Sequence, residues 1–180
     1  MKYLYKHVSL IFLISTFLLS CKKSSTTPEL VTFMKLDTNS KALSYNSCST
    51  IEIIRGGQPQ TSITSQGGTG HFDITLNQAP ENLKTGQVYE AQTIKSLVTD
   101  SYARFTYVPN SSANGVYGYS SSVNNPIGSV TLTEVTSTSI KGTFSTRVFQ
   151  DDSGLDLRYT ITNGTFCSGP SAYTVVITGH

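Results

Sequence analysis

The sequence predicts an all-β fold, read as an antiparallel β-sandwich of about 8–10 strands with a closed up-and-down β-barrel as the alternative. Three observations carry that expectation. Apolar residues recur with period two in segment after segment, as a sheet with one buried and one solvated face demands. Turn-forming residues punctuate these segments at intervals of roughly 8–12 residues. Beyond residue 20, no window of ten or more residues has helical spacing; Tyr occurs 10 times and Trp not at all, and Ser, Thr, Gly and Asn abound.

Residues 1–20 are set apart from that pattern. Lys2, Lys6 and His7 form a basic start, and Val8 to Leu19 is an apolar run interrupted only by Ser9, Ser15 and Thr16. The run suits a secretory signal and is shorter than the 18 or more residues of a membrane-spanning helix. It closes on Leu18-Leu19-Ser20-Cys21, the pattern of a bacterial lipobox, so Cys21 is the expected lipidation site and the mature N-terminus. Each buried acyl methylene contributes about 0.8 kcal/mol, and two or three chains hold a protein to a bilayer almost irreversibly. The expected partner is therefore a membrane, engaged through lipid. Residues 21–29 (Cys-Lys-Lys-Ser-Ser-Thr-Thr-Pro-Glu) read as a lipidated flexible tether. Eight residues of coil average about 16 Å from end to end. No acidic run follows Cys21, which favours the periplasm-facing leaflet of the outer membrane over the cell surface.

Residues 30–180 read as a single all-β domain. Val31 to Leu36 alternates, Asp37 to Ser40 offers a turn, and Ala42 to Tyr45 follows. Thr50 to Arg55 is β-branched and stops at Gly56-Gly57. Phe72, Ile74 and Leu76 share one face of a strand, opposite His71, Asp73 and Thr75. Pro80 to Gly86 forms a loop into Gln87 to Ala91, and Ala103, Phe105 and Tyr107 line another face. Gly128 opens Val130 and Leu132; a turn at Thr136 to Thr138 leads to Ile140, Gly142, Phe144, Thr146 and Val148 on one face. Leu157, Tyr159 and Ile161 begin a strand that Asn163-Gly164, a tight-turn signal, is expected to end. Tyr173 to Thr178 makes a last strand.

Three stretches of this chain resemble an uncharacterised family of Bacteroidota-type lipoprotein domains. They are Pro80 to Tyr89, Gly128-Ser129-Val130-Thr131-Leu132-Thr133 with Ile140-Lys141-Gly142-Thr143-Phe144-Ser145, and Ile161-Thr162-Asn163-Gly164-Thr165-Phe166. The resemblance covers roughly the last hundred residues and implies a β-rich lipoprotein; it supplies no catalytic residue. Before Ile51 the chain departs from the pattern, with Leu43 where an aromatic is usual.

Charge and chemistry exclude several functions. Without Lys2 and Lys6 the chain carries 11 basic and 11 acidic residues. No basic stripe is left to recruit nucleic acid. With Cys21 committed to lipid, Cys48 and Cys167 form an even pair in an oxidising compartment, and a disulfide between them is expected. Closing so long a loop is worth roughly 4–5 kcal/mol in the chain-entropy account. His71 and Asp73 sit two apart on a polar strand face, where an exposed polar pair is the commoner use. No G-x-S-x-G turn accompanies them, so no enzyme is expected and no catalytic residue is assigned. Asp151 to Asp156 lacks the spacing of a calcium loop and reads as a solvated hairpin; no metal or other cofactor is expected. Tyr117 and Tyr119, among glycines and serines, are the candidate ligand-binding residues, since an aromatic face stacks on sugars or fills a partner's pocket. The function expected is a non-enzymatic binding or structural module of the cell envelope with a protein partner. The alternative is a glycan-binding module.

Overall fold

The computed structural model describes residues 29–67, 70–91, 102–109, 116–117, 127–150 and 156–177. The lipobox, the lipidation site Cys21, the tether up to Pro28, Tyr119 and Asp151 to Leu155 lie outside them. Eleven strands follow in chain order: β1 Phe33–Thr38, β2 Ala42–Tyr45, β3 Ser47–Arg55, β4 Gln58–Gln66, β5 His71–Leu76, β6 Val88–Ala91, β7 Tyr102–Val108, β8 Val116–Tyr117, β9 Gly128–Val135, β10 Ile140–Phe149 and β11 Leu157–Ile177. Alternation does what the sequence predicts. In β5 and β7 every second residue is buried, from Phe72 to Leu76 and from Ala103 to Tyr107. Among the described residues no helix is long and apolar enough to cross a membrane.

All eleven strands belong to one mixed sheet. Pairing runs from β11 through β3, β4, β5, β7, β6 and β9 to β10, and β10 pairs back onto β11. The ladder thus returns on itself around one core. It is not a clean barrel, because β1 and β2 branch from β11, β8 touches both β7 and β10, and two pairs are parallel. The all-β expectation holds. The purely antiparallel one does not, since β3 runs parallel to β11 and β6 to β7. Two walls face each other as in a sandwich, but they are parts of one folded-over sheet. Phe72 of β5 stacks on Phe144 of β10 with ring centroids 5.2 Å apart, and Tyr107 of β7 meets Tyr159 of β11 edge-on at 5.1 Å.

The junction of β10 and β11 explains two of the motifs. Gly142-Thr143-Phe144 and Gly164-Thr165-Phe166 pair antiparallel about Thr143 and Thr165, which sets Gly142 opposite Phe166 and Phe144 opposite Gly164. Each phenyl ring lies over the facing glycine, where a Cβ would sit 2.6 Å from ring carbons. Glycine is required there for want of room and not for a left-handed φ: at Gly164 the crowding is all from the ring, and at Gly142 the Thr131 carbonyl oxygen adds to it at 2.7 Å. Asn163-Gly164 is consequently not the hairpin turn its composition suggests. It is an irregularity inside a single long strand, with Asn163 at φ 51° and the pairing shifted between Phe144 and Thr146. Asparagine tolerates that left-handed conformation better than most residues.

The expected disulfide is absent: Cys48 and Cys167 are both buried free thiols. Register gives the reason. Gly169 pairs with Ser49, so the residue beside Cys48 is Ser168, with which it shares a hydrogen bond. Cys167 lies one residue out of phase and projects from the other side of the pleat. Burial pushes the Cys48 thiol up to about 12, and raises Cys167 as well against the pull of the Lys141 ammonium. The reactive thiolate is therefore scarce at neutral pH. Alkylation followed by mass spectrometry is expected to leave both cysteines unlabelled in the native protein and to label both in denaturant without reductant. A linked Cys48–Cys167 peptide would contradict the register.

Candidate functional site

The strands of one wall are of unequal length, and the difference makes a mouth. The last β4–β5 pair is Thr61 with Leu76, and Thr61 also pairs with Glu52. Beyond that level the wall of β5 is missing, while β3, β4 and the end of β11 run on as a three-stranded arm to Arg55, Gln58 and Ile177. Glu52 keeps the inward phase of Cys48 and Thr50 and so faces the opening. A cavity of ≈ 420 Å³ lies there, within the size range of small-ligand sites.

Three segments close its sides. Pro80 and Glu81 come from a 3₁₀ turn over Pro80–Asn82 that begins on proline, whose fixed φ and missing N–H suit a first helical position. The loop that follows is tied to β9: the Gly86 N–H donates to the Leu132 carbonyl at 2.7 Å, and the Val135 N–H to the Thr85 hydroxyl at 3.0 Å. Val135, Thr136, Ser137, Ser139 and Ile140 come from the β9–β10 turn. That turn is built on one side chain, since Thr136 Oγ1 accepts the Ser139 N–H at 2.9 Å and the Thr138 N–H at 3.3 Å. Pro170 and Thr174 of β11 complete the rim, and Thr174 Oγ1 donates to Glu52 Oε2 at 2.9 Å. Below, the Thr50 and Ser168 hydroxyls are hydrogen-bonded at 2.5 Å.

This lining has a definite character. It offers two carboxylates (Glu52 and Glu81), several hydroxyls, apolar patches from proline, valine and isoleucine, and, among the described residues, no basic side chain. The ammonium of Lys141, next in sequence to the lining residue Ile140, is taken by Glu134 at 2.9 Å, which also accepts from Ser139 Oγ at 3.1 Å. Those two hydrogen bonds hold the Glu134 carboxyl below its usual range. The mouth therefore favours neutral or cationic ligands carrying hydroxyls and disfavours anions. Among the described residues the lining hydroxyls have no imidazole or amine beside them; the one side-chain acceptor that takes a lining hydroxyl from across the mouth is Glu52, which accepts from Thr174.

The residues singled out from sequence fall elsewhere. Tyr117 pairs through its backbone with Thr106 and Phe149, away from the mouth. His71 and Asp73 do come together, Nε2 to Oδ2 at 3.5 Å, on the face of β5 opposite the core. The cross-strand neighbours of Asp73 are Thr64 and Thr106. Ser65 projects into the core instead, where its Oγ accepts the Phe72 N–H at 2.6 Å. No hydrolytic set is assembled among these residues. Nor do the described residues contain three His, Cys, Asp or Glu side chains grouped to hold a metal ion. Asp156, from the candidate calcium loop, binds Arg158 at 2.7 Å.

Asp73 is a source of strain. Its Oδ1 is buried without a partner among the described residues. Burial raises its carboxyl above the ordinary range, against the opposing pull of His71 and of a hydrogen bond from Thr64. A carboxyl raised in the folded state stabilises most while protonated, and its contribution is lost as pH rises from the unfolded value through the folded one. Asp73→Asn is accordingly expected to gain stability relative to the parent as pH climbs from about 4 to 7. Urea titrations at the two pH values check this; an Asn variant that loses ground over that interval contradicts it.

Comparison with known proteins adds no relative: no family model, curated protein or solved structure matches the chain.

Proposed function

We propose that this chain is an exported, lipid-anchored module of the cell envelope that binds a partner without transforming it, with the mouth between β3, β11 and the β9–β10 turn as its recognition site. The anchor is supported by the lipobox ending at Cys21, and the outer membrane, facing the periplasm, is the compartment that the sequence after Cys21 favours. The observation that carries the binding role is the mouth itself: an inward carboxylate, Glu52, that accepts from the Thr174 hydroxyl and is ringed by further hydroxyls and apolar side chains. A protein partner would enter with a cationic or hydroxylated side chain.

The lining also favours a second reading, a glycan ligand, because carboxylates and hydroxyls are the groups that hydrogen-bond sugar hydroxyls. No aromatic ring lines the mouth among the described residues to stack on a sugar face. Photo-crosslinking from Ser137 in intact cells, alongside a screen of neutral, acidic and amino polysaccharides, separates the two. A discrete protein adduct that Glu52→Lys weakens at least about tenfold supports the first reading, since reversing the charge sets like charges together across the interface. Polysaccharide binding lost on Glu52→Gln supports the second. Neither an adduct nor a polysaccharide hit contradicts both.

A further inference from the structure

The outward face of the β3–β11 arm carries apolar groups that remain exposed among the described residues. Among the seven exposed large hydrophobic residues described, five (Leu30, Val31, Val175, Val176 and Ile177) lie where the chain enters the fold or on this arm. Val31 is 75% exposed, Val175 43% and Ile177 41%, while Val176, opposite Ile54, belongs to the other face of the arm. Register places Val175 opposite Ile53 and Ile177 opposite Arg55, in the outward phase. Leu30 packs on the same face, its Cδ2 3.3 Å from where a Cβ on Gly169 would be.

Two further observations say what covers this face. The first is charge: Arg55 and Arg104 share a groove of ≈ 280 Å³ on it with Ile53 and Ile177, and no carboxylate lines that groove. The second is the path of the chain. β1 is antiparallel to β11, so the segment from Phe33 back to Glu29 runs in the direction in which β11 proceeds toward Ile177. Nine Cα steps separate Cys21 from Leu30, a reach of at most about 32 Å in any conformation. Leu30, at the edge of the apolar, arginine-flanked face, is thus within reach of whatever holds Cys21.

We infer that the outward face of the β3–β11 arm seats on the bilayer that anchors the chain, with Val175 and Ile177 at the acyl boundary and Arg55 and Arg104 on anionic headgroups. The inference rests on acylation at Cys21. It fixes the orientation of the domain, with the arm against lipid.

The absence of tryptophan from the sequence makes the test direct. Val175→Trp is compared with Leu157→Trp, a control at the opposite end of the same strand, each in the mature acylated protein bound to phosphatidylethanolamine–phosphatidylglycerol vesicles. Brominated lipid is expected to quench Trp at 175 at least about twofold more than Trp at 157, as for groups that reach about 5–10 Å into the interface. Arg55→Glu with Arg104→Glu is expected to reduce that difference. Equal quenching at the two positions overturns the inference alone. Trp at 175 shielded from both brominated lipid and aqueous iodide places another protein chain on the face and also overturns it. A chain that fails to float with the vesicles overturns the anchor and the inference together.

Discussion

Phe144→Ala is expected to destabilise the domain by about 3–5 kcal/mol, the cost of emptying a large aromatic site in a close-packed core. Phe144 is buried, stacks on Phe72, and lies within 6.1 Å of Phe105 and 6.3 Å of Phe166, centroid to centroid. It is therefore a ring through which the β5–β7 wall meets the β10–β11 wall, alongside the Tyr107–Tyr159 pair. Its facing residue is Gly164, which has no side chain to swing into the void. The site cannot collapse, so the cost falls toward the upper end of the range. Phe144→Leu is expected to restore about half of it, since much of the apolar volume returns without the stacking. Thermal and urea denaturation of the two variants measure this; equal losses for Ala and Leu would show that volume is not what the site requires.

Gly142→Val is expected to be comparably severe, about 3 kcal/mol or more, for the opposite reason of overpacking. A Cβ at Gly142 would sit 2.6 Å from Phe166 Cζ and 2.7 Å from the Thr131 carbonyl oxygen. The ring has some freedom to yield. The carbonyl does not, because β9 and β10 are paired on both sides of that point. Thinning the ring separates the two effects: Phe166→Leu is expected to relieve part of the Gly142→Ala penalty, giving a coupling of about 1 kcal/mol in a double-mutant cycle. Strictly additive losses would assign the whole clash to the backbone.

These two sites also show which parts of the fold were legible from residues alone. Alternation located β1, β5, β7, β9 and β10, because most of their inward positions are hydrocarbon. β4 was illegible. Its inward residues are Thr61, Ile63 and Ser65, and it carries a proline, so only one position looks like a strand. Its hydroxyls are buried because they are used: Thr61 Oγ1 donates to the Gln78 carbonyl at 2.7 Å, and Ser65 accepts from Phe72. The Asn163-Gly164 dipeptide misled for a related reason, since a glycine that accommodates a ring from the next strand has the same letters as one that turns a hairpin. The cysteine pair misled because closeness in a sheet is decided by pleat phase, which sequence does not carry across a parallel crossover.

The mouth was the least legible part. It depends on strands ending at different levels and on a turn and a 3₁₀ segment meeting across a gap, all of them long-range facts. One signal was present: Glu52 interrupts the apolar run Thr50-Ile51-Glu52-Ile53-Ile54 at an inward position, where a core strand would place hydrocarbon. Thr174, distant in sequence, is its hydrogen-bond partner. Tyr117 and Tyr119 drew attention because aromatic rings among glycines look exposed, and the described backbone gives Tyr117 only a two-strand bridging role.

The reading of this chain as an anchored module depends first on its processed N-terminus. Mass spectrometry of the N-terminal peptide from the membrane-extracted protein tests that most directly. The expected result is a chain that begins at Cys21 with acyl groups on that residue. A peptide running unbroken from Leu18 through Lys22, with a free thiol at Cys21, would contradict it.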